Sequence, residues 1–140
     1  MRHLWISTPV DLIVVNKKGQ ILLVRRSEEE CGCKGKWSIP GGGPDGKEDF
    51  ESALKREIKE ELGCRIKWYK YFKSYYMMLP DVHHVRSVYF YGEIEGRLRL
   101  SDEHSEHCWM DLSDPKLLKL DFAFNQRQVV KDFVKFWRKR

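Results

Sequence analysis

Residues 42–64 read GGPDGKEDFESALKREIKEELGC. Polar and glycine-rich residues run as far as Asp49, and from Phe50 the apolar residues recur at helical spacing. At about 100° per residue, Leu54, Ile58 and Leu62 form one stripe with Phe50, Glu57 and Glu61 along its edge, while Lys55 and Lys59 point away. The spacing predicts a helix over Phe50–Leu62 that stops at Gly63, a natural residue just past a helix end. Residues three and four apart are neighbours on a helix, so Glu57 faces both Glu60 and Glu61. Each like-charged contact costs roughly 0.2–0.5 kcal/mol. Carboxylates crowded between core and solvent ask for a cation. Hard oxygen donors at this spacing suit Mg2+ or Mn2+, which bind through a few carboxylates, keep several waters and pair with substrate phosphates.

Outward from the helix, Gly41-Gly42-Gly43-Pro44-Asp45-Gly46 is expected to lie outside regular structure, with glycine letting the backbone approach a ligand or metal closely. Before it, the pattern predicts a strand Val10–Val15, a turn at Asn16–Gly19 and a strand Gln20–Arg25 joined as a hairpin, then a polar loop and a short strand ending at Ile39. After it come strands at about Ile66–Met78, His84–Ile94 and Cys108–Met110, with turns at Pro80-Asp81 and Glu95-Gly96. A final helix from about Asn125 to Arg138 buries Val129, Val130, Phe133, Val134 and Trp137. Two helices with strands between them imply an α/β architecture, expected as one domain over residues 1–140.

The run Gly42, five residues, Glu48, seven residues, then Arg56-Glu57-Ile58-Lys59-Glu60-Glu61-Leu62-Gly63-Cys64 resembles the Nudix box, GX5EX7REUXEEXGU, where U is aliphatic. Cys64 at the last U position is the one departure, and a small buried thiol can replace an aliphatic side chain. Lys36-Trp37-Ser38-Ile39-Pro40-Gly41-Gly42-Gly43 is similar to the strand and glycine turn that precede the box. The resemblance implies an α/β/α sandwich around a mixed sheet. It also implies hydrolysis of a nucleoside diphosphate linked to another group, with divalent metals polarising the phosphates and activating water. By the same resemblance Glu57, Glu60 and Glu61 are metal ligands, the Gly41 carbonyl is a further ligand, Arg56 orients Glu57, and Glu48 supports the site together with Gly42 and Gly63.

Composition fits such an enzyme. A net charge of +5 over 140 residues favours polyphosphate ligands over cationic ones, and Lys131, Lys135, Arg138, Lys139 and Arg140 complement the end of the last helix without implying a nucleic-acid polymer as partner. No stretch is long and apolar enough to span a membrane, and Met1–Ile6 has too short an apolar core for a secretory signal, so a cytoplasmic location is expected. A homodimer is left open. Cys31-Gly32-Cys33 could meet zinc with His107 or Cys108, but a one-residue gap does not match structural zinc spacing.

Residues 101–110, SDEHSEHCWM, form a second constellation, expected as a loop before a strand, where catalytic groups are often placed. In MutT-like nucleotide pyrophosphohydrolases a glutamate in this loop joins the metal site and falls on Glu103. In GDP-mannose mannosyl hydrolases a histidine there is general base and falls on His104, with an intrinsic pKa suited to titration near neutrality. The stretch Ser7–Val14 is also similar to the first strand of the mannosyl hydrolases, which attack sugar carbon, whereas the intact box favours attack at phosphorus. Arg26 and Asn125 match nucleotide-contacting residues of the MutT-like enzymes, Asn125 alternatively serving as a helix N-cap. A Nudix-fold module that binds a nucleotide without cleaving it is the reading from a different class.

Overall fold

A computed structural model describes residues 5–27, 32–80 and 83–140. The elements are β1 (Trp5–Ser7), β2 (Val10–Val14), β3 (Gln20–Arg26), β4 (Trp37–Ser38), β5 (Gly41–Gly42), α1 (Phe50–Leu62), β6 (Arg65–Leu79), β7 (His83–Glu95), β8 (His104–Asp111), a 3-10 turn at Leu117–Lys119, and α2 (Gln126–Lys139).

The run β2 is buried throughout, as a strand covered on both faces must be. Successive side chains alternate across it. Val10, Leu12 and Val14 join Leu22 and Val24 of β3 in packing on Leu54, Ile58 and Leu62 of α1. Ile13 and Val15 join Ile21 and Leu23 in packing on Val129, Val130 and Phe133 of α2. Each helix therefore covers one face of the same strands, which makes the layers helix, sheet, helix.

Beneath the helices lie two sheets. One is mixed: β7 runs parallel to β1 and β2 and antiparallel to β6, and β5 pairs antiparallel with β2. The other is antiparallel, in the order β4-β3-β8. The expected hairpin is thus only a tight turn. Asn16 Oδ1 accepts hydrogen bonds from the amides of Lys18 and Gln20 at 3.0 and 3.1 Å, but beyond the bridge Val15–Ile21 the two strands separate into different sheets.

Two further expectations are corrected, and one strand was not foreseen. Gly41-Gly42 is not irregular; it is β5, paired through Val10–Gly42 and Asp11–Gly41. The last strand starts at His104 rather than Cys108, because its polar half is held by hydrogen bonds to β3 and needs no apolar side chains. The strand β1, exposed along most of its length, had no periodic signal. The helices lie at Phe50–Leu62, as expected, and at Gln126–Lys139, one residue later than expected at each end. No helix among the described residues is long and apolar enough to cross a membrane. Met1–Leu4, Cys31 and Asp81 lie outside the described residues.

Asp49 caps α1, its Oδ1 accepting from the Ser52 amide at 2.8 Å, and Gly63 ends it at φ 67° with its amide donating to the Lys59 carbonyl. A side chain at that φ would be strained. The energetic weight of α1 lies in its buried stripe, so Ile58→Ala should destabilise the fold by about 2–5 kcal/mol, whereas Lys59→Ala on the exposed face should change stability by no more than about 0.5 kcal/mol. Urea unfolding of the two variants side by side checks this.

Candidate active site

The acids of α1 are organised by one guanidinium. Arg56 grips Glu48 with two bonds, Nε to Oε2 at 2.8 Å and Nη2 to Oε1 at 2.9 Å. Its Nη1 donates to Glu57 Oε1 at 2.9 Å and Glu60 Oε2 at 3.2 Å, and Nη2 also donates to the Gly43 carbonyl at 3.0 Å. Glu48 Oε1 in turn accepts from the Asp45 amide at 2.8 Å. The glycine turn, Glu48 and the helix acids are therefore tied to a single planar cation, whose fork geometry suits carboxylates.

Next to this clamp opens a cavity of about 630 Å3, within the usual range for small-molecule sites. Its acidic end is lined by Asp11, Glu57, Glu61 and Glu103, with Gly41 and Gly42 between them. The Glu61 carboxyl is buried and accepts from the Gly41 amide at 3.1 Å. Burial, with Glu57, Asp11 and Glu103 nearby, pushes it up to about 9. Burial likewise raises Glu57, opposed by Arg56 and reinforced by Glu60 and Glu103. Burial raises Asp11 well above the usual carboxylate range, with Tyr89 hydrogen-bonded to it.

Such a set is at odds with itself unless protons or a cation are present. Among the described residues no three His, Cys, Asp or Glu side chains are gathered into a ready-made metal site. That also leaves the Cys33, His107 and Cys108 neighbourhood without a zinc centre among those residues. The donor chemistry of the acidic end nevertheless fits a hard divalent cation, since every side-chain donor is a carboxylate oxygen and burial and crowding raise Glu61, Glu57 and Asp11.

Sequence-predicted residues fall into three groups. Glu57, Glu61, Gly41, Gly42, Glu103, His104, Arg26 and Asn125 all line the cavity. Glu60, expected among the ligands, is absent from that lining; its side chain is 59% exposed and turned to Arg56. Gly63 and Glu48 sit behind the site, one ending the helix and the other holding Arg56. Asn125 precedes α2 without making a side-chain capping bond. His104 is buried, with no hydrogen-bond partner for Nδ1 among the described residues. Burial and the nearby Arg26 push its imidazole down to about 4, away from the near-neutral titration expected of it.

Sequence reasoning missed Asp11, Tyr89 and Gln126. Gln126 Oε1 accepts from the Ile39 amide at 2.9 Å and its Nε2 donates to the Tyr89 hydroxyl at 3.3 Å. A single carboxylate inside the apolar run VDLIVV was the available signal, because charged residues are rarely buried without a task.

The NUDIX domain family matches residues 7–133. The chain belongs to the Nudix family. It is a Nudix pyrophosphohydrolase, acting on acid anhydrides, and the family is typically dependent on divalent metals. It is 31% identical over 126 residues to an ADP-ribose pyrophosphatase of Methanocaldococcus jannaschii, covering 88% of this chain and 70% of that protein. It is 28% identical over 134 residues to the nucleoside triphosphatase NudI of Klebsiella pneumoniae, covering 88% and 92%. Among solved structures, the MutT protein of Methanosarcina mazei superimposes with a TM-score of 0.84 at 26% identity over the whole of both chains.

The Nudix glycine has a steric reason to be here. A Cβ on Gly42 would lie 2.5–2.7 Å from the carboxyl atoms of Glu57, the mobile end of a side chain that can swing away at little cost to the fold. Gly42→Ala should therefore leave the urea midpoint nearly unchanged while lowering turnover at least tenfold, as displacements of about 1 Å at a reacting centre do. Loss of folding and activity in parallel would mean that Gly42 serves the backbone instead.

Proposed function

We propose that this chain hydrolyses the pyrophosphate linkage of a nucleoside diphosphate joined to another moiety, by attack at phosphorus, with Mg2+ or Mn2+ bound at the acidic end of the cavity. The observation that carries the reading is the convergence of Glu57, Glu61 and Glu103 on one cavity beside a glycine turn locked by Arg56 and Glu48. A divalent ion held there would neutralise charge on the diphosphate and activate water. Glu57, Glu61 and Glu103 would hold it, together with the Gly41 carbonyl, and Glu60 would join on turning from Arg56.

The remaining residues have separate tasks. Arg56 aims Glu57 and opposes the rise that burial causes, since a guanidinium at hydrogen-bond distance favours the charged carboxylate. Arg26 supplies positive charge to the cavity wall, suited to the substrate's phosphates. Asn125, which makes no side-chain capping bond to α2 and lines the cavity, is suited to reading the edge of a base. The names of the two relatives, an ADP-ribose pyrophosphatase and a nucleoside triphosphatase, both describe nucleoside phosphoanhydrides, which supports a nucleotide sugar or a nucleoside triphosphate as substrate.

Attack at sugar carbon with His104 as base is the competing reading. A base works best when its pKa lies near the working pH, and an imidazole pushed down to about 4 is a weak one. Its position supports a role as a neutral cavity wall.

A screen of nucleoside triphosphates, nucleotide sugars, ADP-ribose and dinucleoside polyphosphates with Mg2+ or Mn2+ tests the activity. In oxygen-18 water the label should enter a phosphate-containing product; label in a free sugar, with none in either phosphate, would overturn attack at phosphorus. Glu57→Gln should lower kcat by two orders of magnitude or more, and Glu103→Gln should raise the metal concentration needed for half activation. Because His104 is given no base role, His104→Gln should keep kcat within about tenfold of the native value, general bases being worth roughly 10²–10⁴.

A further inference from the structure

Among the described residues, Phe124 is the one non-glycine residue with positive φ, at 53°. Bulky side chains rarely adopt this left-handed conformation, and where one does the surrounding structure has to impose it. The surroundings here do so from both sides. Phe122 bridges Trp37, and the Ala123 amide donates to the Trp37 carbonyl at 2.8 Å. On the other side Gln126 is anchored by the Ile39 amide, and its own amide donates to the Ala123 carbonyl at 3.1 Å. The chain must turn at residue 124 between two fixed points. Glycine would make that turn without strain, yet the residue is phenylalanine.

The turn delivers the ring to the wall of the same cavity, next to Asn125. The guanidinium of Arg26 lies over the ring, 5.5 Å from its centroid. Two flat groups are thus layered at the cavity wall, one aromatic and one cationic. A planar π-system is the ligand class such a wall receives best, since bases stack on aromatic faces and guanidinium planes with little dependence on their identity.

From this we infer that Phe124, layered with Arg26, is the wall on which the substrate's nucleobase stacks, and that the strained turn exists to present it. The inference deepens the function proposed above and rests on its placing a nucleotide in this cavity. The base is held at the Phe124 end, and the diphosphate reaches from Arg26 toward Glu57, Glu61 and Glu103. Stacking is tolerant of base identity, so Phe124 contributes affinity for a base as such and leaves discrimination between bases to edge contacts.

The test measures binding without metal and turnover with it, on the full chain. Calorimetric titration of the native protein compares AMP, GMP, CMP and UMP with ribose 5-phosphate, which lacks the base. Phe124→Leu keeps bulk without a π-face, Phe124→Gly removes the ring while relieving the backbone, and Phe124→Tyr keeps the π-face. At least one nucleotide should bind the native chain roughly tenfold or more tightly than ribose 5-phosphate. That advantage should vanish in the leucine and glycine variants and persist in the tyrosine variant. With a cleaved nucleotide substrate, the same losses should appear in KM with kcat within about twofold. Equal binding of ribose 5-phosphate and every nucleotide, or an undiminished base advantage in Phe124→Leu, overturns the inference while leaving phosphoanhydride hydrolysis standing. A base advantage lost on removing the ring, in a chain that hydrolyses none of the screened substrates, would retain the stacking wall and sink the proposed reaction.

Discussion

A guanidinium shared among carboxylates is the interaction on which the site depends. Without Arg56, Glu48, Glu57 and Glu60 would meet with nothing between them, and the turn carrying Gly43 would lose its tether to α1. Its fork reaches the glycine turn and the helix at once, so the spacing between metal-binding acids and close-approach backbone is held by hydrogen bonds rather than by packing alone. Much of this clamp is open to solvent, and its stabilising worth is correspondingly small. Its effect is geometric: it decides which carboxylates point into the cavity, and in this structure it holds Glu60 out.

Behind the clamp, rigidity comes from strands covered on both faces. β2 and β3 send alternate residues to α1 and α2, so neither can shift by one residue without turning a whole apolar set away from its helix. The site is built at the edge of that layer. β5 lies on β2 through two glycines, with no side chain between Gly42 and Glu57, and a backbone stripped of Cβ atoms is what lets the acids of α1 approach the sheet. The nearby Asp11–Tyr89–Gln126–Ile39 connections give each buried polar group a partner where water is excluded. They also tie the start of α2 to the acidic end of the cavity.

The cavity carries charge of both signs. Burial and neighbouring carboxylates raise Glu61, Glu57 and Asp11, while Arg26, which lies over Phe124, supplies positive charge that also acts on Asp11. A diphosphate with an ion on one side and a base on the other is matched to that polarity. A purely cationic ligand would find Arg26 in its way, and a purely apolar one would desolvate four carboxyl groups.

The box helix was legible in the sequence because its information is local. The period of Leu54, Ile58 and Leu62, the stop at Gly63 and the spacing of Glu48, Arg56, Glu57 and Glu61 all lie within one short stretch, and a helix converts spacing directly into a face. Family membership, the mixed-sheet architecture and most strand cores followed from equally local signals. What depended on partners distant in sequence did not. Gly41-Gly42 becomes a strand only because β2 offers it a ladder, and His104 is buried only because β8 begins earlier than its polar sequence suggests. Asp11 is an ordinary acid until the fold buries it, and burial, rather than its own chemistry, raises its pKa. Phe124 takes a left-handed turn for a reason absent from its neighbours in the chain: Trp37 and Ile39 hold the backbone on either side. Sequence by itself determined the identity and spacing of the acids; tertiary structure decided which of them face the cavity, since only packing sets the direction of a side chain and the dielectric around it.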